Sequence, residues 1–380
     1  MHLVHVSPHL PPDQAANAIL PALAGAWSAE RGHQVHYVAH PPAQGGVPRE
    51  PGGSGVALIP RRARRGLVSA LRIEPWLLTR RIHGTLDRVA AGADLLHLHS
   101  NGLLIEAAAS WARRQGTPYV LTLYGTEIWH YTRRRPIDFF RKAYLGAAAV
   151  TFYSQRLLDR ARELGLDRPN LSVIYPAVPP EFTTHGPEAR AAMRQALGIA
   201  EPHLVVNVKR LHELAGQRYL LDAFAAVRRQ RTNVRLVICG TGALRESLER
   251  QARDLGIHAA VTFAGLVGND EVARYVAAAD VFALPSLLEA LPTVAVEALA
   301  SGTPVVSADH PGGEELHGLF GDDVRLVPMR DADALAGALL AVLAGARRTA
   351  PATGQALERL FRPPAIAAQY EALYQGMLAR

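Results

Sequence analysis

Cysteine is almost missing from this chain of 380 residues: Cys239 stands alone, so neither an internal disulfide nor a cysteine-based metal cluster can form. It reads as a small core residue. Lysine is nearly as scarce, with only Lys142 and Lys209 among 41 basic residues, so arginine carries the positive charge. No apolar run approaches the roughly 20 residues that span a bilayer, and a strand pattern opens at residues 3–6 where a leader would sit. A cytoplasmic protein is expected, with peripheral contact at the inner face of the membrane as a variant. Long charged or low-complexity tracts are missing too. With 49% hydrophobic and 20% charged residues, extensive disorder is excluded.

What is present has the size of two domains. The net charge of +7 is uneven: residues 1–180 hold 21 Lys and Arg against 12 Asp and Glu, and the rest hold 20 against 22. Much of the excess lies in Arg61, Arg62, Arg64, Arg65, Arg72, Arg80 and Arg81, and in Arg133, Arg134 and Arg135, interleaved with Leu67, Trp76, Leu77, Leu78, Phe139 and Phe140. That mixture suits an anionic acceptor or acidic headgroups. It equally suits a solvated arginine-rich face, and nucleic acid is not expected as a partner.

Short β-rich runs alternate with helical patterns, the signature of parallel sheets with crossover helices. Strands are predicted at residues 3–6, 35–38, 95–98, 119–123, 150–153 and 171–174, and again at 204–208, 234–239, 261–263, 281–284, 305–307 and 324–327. Helical stretches at 218–229 and 244–255 separate strands of the second set. Between the two sets, Pro176, Pro179 and Pro180 interrupt regular structure and mark a linker. Two open α/β sheets in tandem place a ligand crevice at the carboxyl ends of their strands.

The most informative stretch runs Pro285-Ser286-Leu287-Leu288-Glu289-Ala290-Leu291-Pro292-Thr293-Val294-Ala295-Val296-Glu297-Ala298-Leu299-Ala300 and on through Ser301-Gly302-Thr303-Pro304-Val305-Val306. A strand ends at Pro285, and Pro292 suits the first position of a helix. From Val294 to Ala300 the sole charge is Glu297, and an acid in such a helix needs hydrogen-bond partners. A ribose diol would supply two. Thr293 lies on the same face one turn earlier, and the helix N-terminus offers amides to a pyrophosphate. The bland alternative is an exposed glutamate on an edge stripe.

Glu289 and Glu297 resemble the E-x7-E signature of family 4 glycosyltransferases, together with the Gly-Thr-Pro-Val-Val tail. That resemblance implies that Glu289 contacts the donor sugar's hydroxyls and Glu297 the ribose, with amides near Leu291, Thr293 and Val294 facing the diphosphate. Val208-Lys209-Arg210-Leu211-His212-Glu213-Leu214-Ala215-Gly216 resembles the family's G-R-L-x-x-x-K-G element. Arg210 matches the arginine, Lys209 replaces the glycine and Ala215 the lysine. Arg grips phosphate oxygens in a fork, and Lys209, ahead of Arg218, is the expected second cation. Gly240-Thr241-Gly242 resembles the family's strand-G-x-G-x-L element beside the base. Gly265-Leu266-Val267 and Gly312-Gly313-Glu314-Glu315 also resemble family segments, Leu266 falling near the base. Either is equally an ordinary turn.

In the first half, Asp13, Gln14 and Asn17 stand in the first strand-to-helix loop, where the family has paired glycines. They are candidates for acceptor contact, Asp13 also for helix capping. His97 and His99 alternate on a strand and point to one face, either toward an acceptor or as buried structural histidines. Tyr124-Gly125-Thr126-Glu127 resembles the family's H-G-x-D/E turn with tyrosine in place of histidine. A tyrosine can donate a hydrogen bond but is no neutral base near pH 7, so Glu127 becomes the candidate for acceptor contact or proton handling.

The resemblance implies a GT-B fold, an α/β architecture of two Rossmann-like domains facing each other across a cleft. Its acceptor-binding domain spans residues 1–178 and its donor-binding domain 179–364, with a helix over 365–380 packing back on the first. It implies a retaining transferase using a nucleotide-sugar, UDP-sugar first, and a sugar, lipid-linked or small-molecule acceptor, with no cofactor and no metal. Two other classes compete. A dinucleotide-dependent oxidoreductase is disfavoured because residues 5–17 hold no Gly-x-Gly-x-x-Gly. A catalytically idle sugar-nucleotide-binding protein is favoured only by the departures at Ala215 and Tyr124.

Overall fold

In the computed structural model, residues 1–13, 16–42, 55–61, 74–134 and 136–379 are described, the side chains of Ala16 and Asn17 excepted. The chain forms two compact units, one comprising Met1–Pro176 with the segment from Pro364 onward, the other Ala177–Pro363.

The first unit holds a seven-stranded, wholly parallel sheet. Its strands are β1 (His2–Ser7), β2 (Gln34–Ala39), β3 (Val56–Leu58), β4 (Leu95–His99), β5 (Tyr119–Leu123), β6 (Ala149–Phe152) and β7 (Leu171–Val173). The order is β3-β2-β1-β4-β5-β6-β7. The chain thus winds outward from β1 and then back past it, leaving a switch point between β1 and β4, where open α/β sheets hold ligands. β4, β5 and β6 are buried along their whole lengths, His97, His99, Thr122 and Thr151 included, and apolar residues predominate in them because helices cover both faces of a parallel sheet. β3, an edge strand of three residues, was not predicted.

The second unit repeats the plan with six strands: β8 (His203–Val208), β9 (Val234–Cys239), β10 (Val261–Gly265), β11 (Val281–Leu284), β12 (Val305–Ala308) and β13 (Val324–Val327). Their order β10-β9-β8-β11-β12-β13 puts the switch point between β8 and β11. Its core joins Leu220, Leu221 and Phe224 of the Gln217–Gln230 helix to Val205, Leu236 and Ile238 of the sheet and to Leu335 and Leu339 of the Ala332–Gly345 helix. Cys239 is part of this interior, where burial pushes its thiol up to about 12.

Local chemistry sets the helix ends. Asp138, Ser154 and Asp331 accept hydrogen bonds from the amides of Arg141, Leu157 and Ala334 at N-caps. The carbonyls closing the Asn269–Ala278 helix receive Arg190, Arg194 and Arg348, cations matched to the negative end of a helix dipole.

The prolines at 176–180 do interrupt regular structure, yet the segment after them is anchored: Val178 and Phe182 are buried, and the Val178 amide donates to the Phe361 carbonyl at 2.7 Å. The Pro363–Leu378 helix returns to the first unit from residue 364. There Tyr374 is fully buried against Leu3, Leu95 and Val120, and its hydroxyl meets His97 Nδ1 at 2.7 Å. His33 Nε2 and the Glu371 carboxylate add a second tie at 2.7 Å. None of the helices described is long and apolar enough to cross a membrane.

Candidate active site

In the second unit, the loops leaving β8 and β11 at the switch point are joined by main-chain contacts. The Leu287 amide donates to the Leu214 carbonyl at 2.8 Å. Gly216, at φ 69°, lies so close to Pro285 that a Cβ would come 2.0 Å from its carbonyl oxygen. Across this junction Lys209 Nζ sits 2.6 Å from the Glu289 carboxylate, both side chains half-buried.

Gly240 and Gly242, expected to admit a nucleotide, also make room for the unit's own backbone. A Cβ on Gly240 would lie 2.0 Å from the Lys209 carbonyl oxygen, and one on Gly242 2.2 Å from that of Leu211. The glycines let the loop after β9 press on the loop that carries Lys209 and Arg210, and amides of Lys209 and Leu211 donate to Cys239 and Thr241 carbonyls at 2.9 Å. Glu289 is held from the other side. Its carbonyl accepts from the Gly312 amide at 3.1 Å, and Cβ atoms at Gly312 and Gly313 would meet the Glu289 and Ala308 carbonyl oxygens at 3.0 and 2.3 Å.

The helix after Glu289 begins at Thr293, one residue later than Pro292 suggested, and runs to Ala300. Pro292 occupies the N-cap position and supplies no side-chain bond to the first-turn amides. Glu297 lies one turn inward and half-buried. Desolvation, helped by the negative charge of Glu181, pushes its carboxyl up to about 7. Val294 is half-buried, Leu291 is a core residue, and Leu266 is 71% exposed at the end of β10, outside any packed layer.

Of the candidate cations, Lys209 alone contacts Glu289. Arg210 is exposed, Arg218 lies over the Tyr219 ring at 5.0 Å, and Ala215 is fully buried. His310, absent from the sequence-based candidates, is fully buried at the N-cap of the Pro311–Phe320 helix, its Nδ1 accepting from the Gly313 amide at 3.0 Å. Burial lowers its imidazole to about 4, a shift that Glu289 opposes and Lys209 reinforces. His212 is lowered for the same reason, with Arg210 and Lys209 adding to desolvation. The only sequence signal for His310 was its place just before a Pro-Gly-Gly helix start. Asp331-Ala332-Asp333 spells an Asp-x-Asp pair, but Asp331 is a helix cap.

In the first unit, Asp13 pairs with His9 at 3.0 Å and with Arg61 at 3.7 Å. Gln14 and the side chain of Asn17 fall outside the described residues. His97 and His99 do share a face, with ring centroids 3.9 Å apart, but both are buried. His99 therefore reaches the strand end only through Tyr124, whose hydroxyl meets its Nδ1 at 2.7 Å. Glu127 does not stand open to an acceptor: it is buried, accepting from Ser100 Oγ at 2.5 Å and from the Gly125 amide at 2.8 Å. It braces the turn that presents Tyr124.

Two family models match the chain in succession. The one described as Glycosyltransferase Family 4 covers residues 22–182, and the one described as Glycosyl transferases group 1 covers residues 189–354. The chain belongs to the family 4 glycosyltransferases. One relative, the GDP-mannose-dependent alpha-(1-6)-phosphatidylinositol monomannoside mannosyltransferase of Mycolicibacterium smegmatis, is 34% identical over 54% of this chain and 55% of its own length. D-inositol 3-phosphate glycosyltransferase of Corynebacterium glutamicum is 31% identical over 59% of this chain and 56% of its own. The chain thus spans about half the length of these relatives. Among solved structures, Anabaena HepE in complex with UDP and glucose superposes with a TM-score of 0.76 over 99% of both chains at 21% identity. The family 4 fold is GT-B, with two Rossmann-like domains.

Proposed function

We propose that this chain is a retaining glycosyltransferase that moves a hexose from a nucleoside diphosphate sugar to a hydroxyl acceptor without a metal ion. The observation that carries this reading is the junction of Lys209 and Glu289, 2.6 Å apart, ahead of the uncapped N-terminus of the Thr293–Ala300 helix. Amides and a partial positive charge there suit a diphosphate. Lys209 and Arg210 supply the cationic charge that a departing nucleoside diphosphate needs, taking the part a metal plays elsewhere. Glu289 would meet the sugar's hydroxyls and Glu297 the ribose, whose diol would satisfy its half-buried carboxyl. Roles for Leu291, Thr293 and Val294 are confined to main-chain amides, since Leu291 is a core residue.

UDP-sugar is the first donor to test, in keeping with the UDP complex of the Anabaena protein, and GDP-mannose the second, in keeping with the mycobacterial relative. The acceptor-side residues are Tyr124, braced by Glu127, and Asp13. A thermal-shift screen of UDP-, GDP- and dTDP-sugars tests the reading. Stabilisation by one class of nucleotide-sugar that Glu297→Ala abolishes supports it, and the absence of stabilisation by every donor contradicts it.

A further inference from the structure

The first unit holds a line of buried hydrogen bonds that the proposed donor chemistry leaves unused. His5 on β1 and His99 on β4 meet through His5 Nδ1 and His99 Nε2 at 3.0 Å, and His99 Nδ1 continues to the Tyr124 hydroxyl at 2.7 Å. Both histidines are buried, whereas Tyr124, just beyond β5, is half-buried at the carboxyl end of the sheet. At the far end His5 Nε2 is buried with no hydrogen-bond partner among the described residues.

The neighbouring His97 is a separate branch, bonded to the Tyr374 hydroxyl at 2.7 Å and to Thr122 Oγ1 at 2.6 Å. Together the three histidines bring ring nitrogens within 4.8 Å of one another, near enough to suggest a metal. Their hydrogen bonding argues otherwise. Every ring nitrogen in the trio except His5 Nε2 already has a partner, and among the described residues no Asp or Glu joins the group to offset a divalent charge.

Burial lowers all three imidazoles, and proximity to one another holds His97 and His99 down further, so each is neutral near pH 7. A neutral imidazole carries one ring proton. The line from His5 to Tyr124 therefore has two arrangements. In one, Tyr124 donates to His99 Nδ1, His99 Nε2–H donates to His5 Nδ1, and the His5 proton sits on Nε2 as a buried donor without an acceptor. In the other, His5 Nδ1–H donates to His99 Nε2 and His99 Nδ1–H donates to the Tyr124 oxygen. Only a lone pair is then orphaned at His5, and the phenolic proton turns outward. Orphaned buried N–H groups are rare because they forfeit a hydrogen bond outright, which selects the second arrangement.

We propose that His5 and His99 are positioning residues that fix Tyr124 as a hydrogen-bond donor, its proton directed away from His99 toward an oxygen bound at the carboxyl end of β5. That the oxygen belongs to the sugar acceptor rests on the glycosyl-transfer reading above; the direction of the proton does not. Burial also keeps the phenol protonated, its ionisation pushed well above the usual tyrosine range. The site therefore takes a lone pair from its ligand and withdraws no proton.

The test is the tautomer of His99 in the unliganded full chain. Histidine is labelled with 15N, the ring signals are assigned through bonds to the backbone, and long-range 1H–15N correlations are recorded near pH 7.5. Protonated nitrogen at Nδ1 and bare nitrogen at Nε2, for His99 and His5 alike, is the expected result. A proton on His99 Nε2, or rapid averaging between the two forms, overturns the proposal. Because no nucleotide-sugar is present, that failure is distinct from a failure of the transferase reading, which would show as no turnover with the tautomers unchanged.

Discussion

Lys209 Nζ lies 2.6 Å from the carboxylate of Glu289, joining the loop that leaves β8 to the loop that leaves β11. Family 4 sequences ordinarily place a glycine where Lys209 stands and a lysine where Ala215 stands. Here Ala215 is fully buried, and Lys209, six residues upstream, meets the first acid of the E-x7-E pair. On the proposed reading the pair orients Glu289 toward the sugar and sets a positive charge beside the diphosphate.

Lys209→Ala is accordingly expected to lower kcat by about 100-fold or more, the scale seen when one preorganised electrostatic contact to a transition state is removed. Lys209→Gln, which keeps a donor but no charge, should recover little. Steady-state release of nucleoside diphosphate measures both. An unchanged kcat would reduce Lys209 to a surface pair.

Glu297 makes stability depend on pH. Its folded-state carboxyl titrates at about 7, above the unfolded glutamate range, so the folded form binds the proton more tightly. The resulting stabilisation is complete below about pH 4.3 and is lost as pH rises through about 7. Melting temperatures of the wild type should therefore fall relative to Glu297→Gln between pH 5 and pH 8, then run parallel. Parallel curves across the whole range would contradict the shift.

Gly240→Ala should destabilise the second unit. Its φ of 138° disfavours any side chain, and the new methyl would meet the Lys209 carbonyl at 2.0 Å. Strained backbone of this kind costs on the order of 1–3 kcal/mol before the clash is added. The urea midpoint reads the loss, and activity should fall with it because the displaced loop carries Lys209.

Tyr374→Ala should destabilise the first unit by about 3–5 kcal/mol, the usual penalty for emptying a buried aromatic site. Tyr374→Phe should lose less, forfeiting only the hydrogen bond to His97. Urea denaturation with fluorescence detection separates the two. Equal effects of both variants would mean that packing contributes nothing there.

Apolar-rich strand runs and proline placement made the two α/β sheets legible in the sequence, because helices cover both faces of parallel strands. The three-residue strand Val56–Leu58 escaped, since an edge strand of that length leaves too short a pattern. Glu297 was readable as the sole charge in an apolar helix, and its raised carboxyl agrees with that setting. That Gly240 and Gly242 also make room for the carbonyls of Lys209 and Leu211 was not legible, because a glycine admitting a ligand and one admitting its own backbone look identical in sequence. Glu127 was read as a candidate for acceptor contact or proton handling, and its burial against Ser100 was not legible. The bonds from Glu127 to Ser100 and from His5 to His99 depend on segments that meet only in the fold.

The most direct test of the account is nucleoside diphosphate release from UDP-glucose and GDP-mannose by the wild type and by Glu289→Gln, with matching circular dichroism spectra as a control on folding. The wild type should turn over at least one donor, and the variant should lose about 100-fold or more. Equal turnover by the two proteins would contradict it.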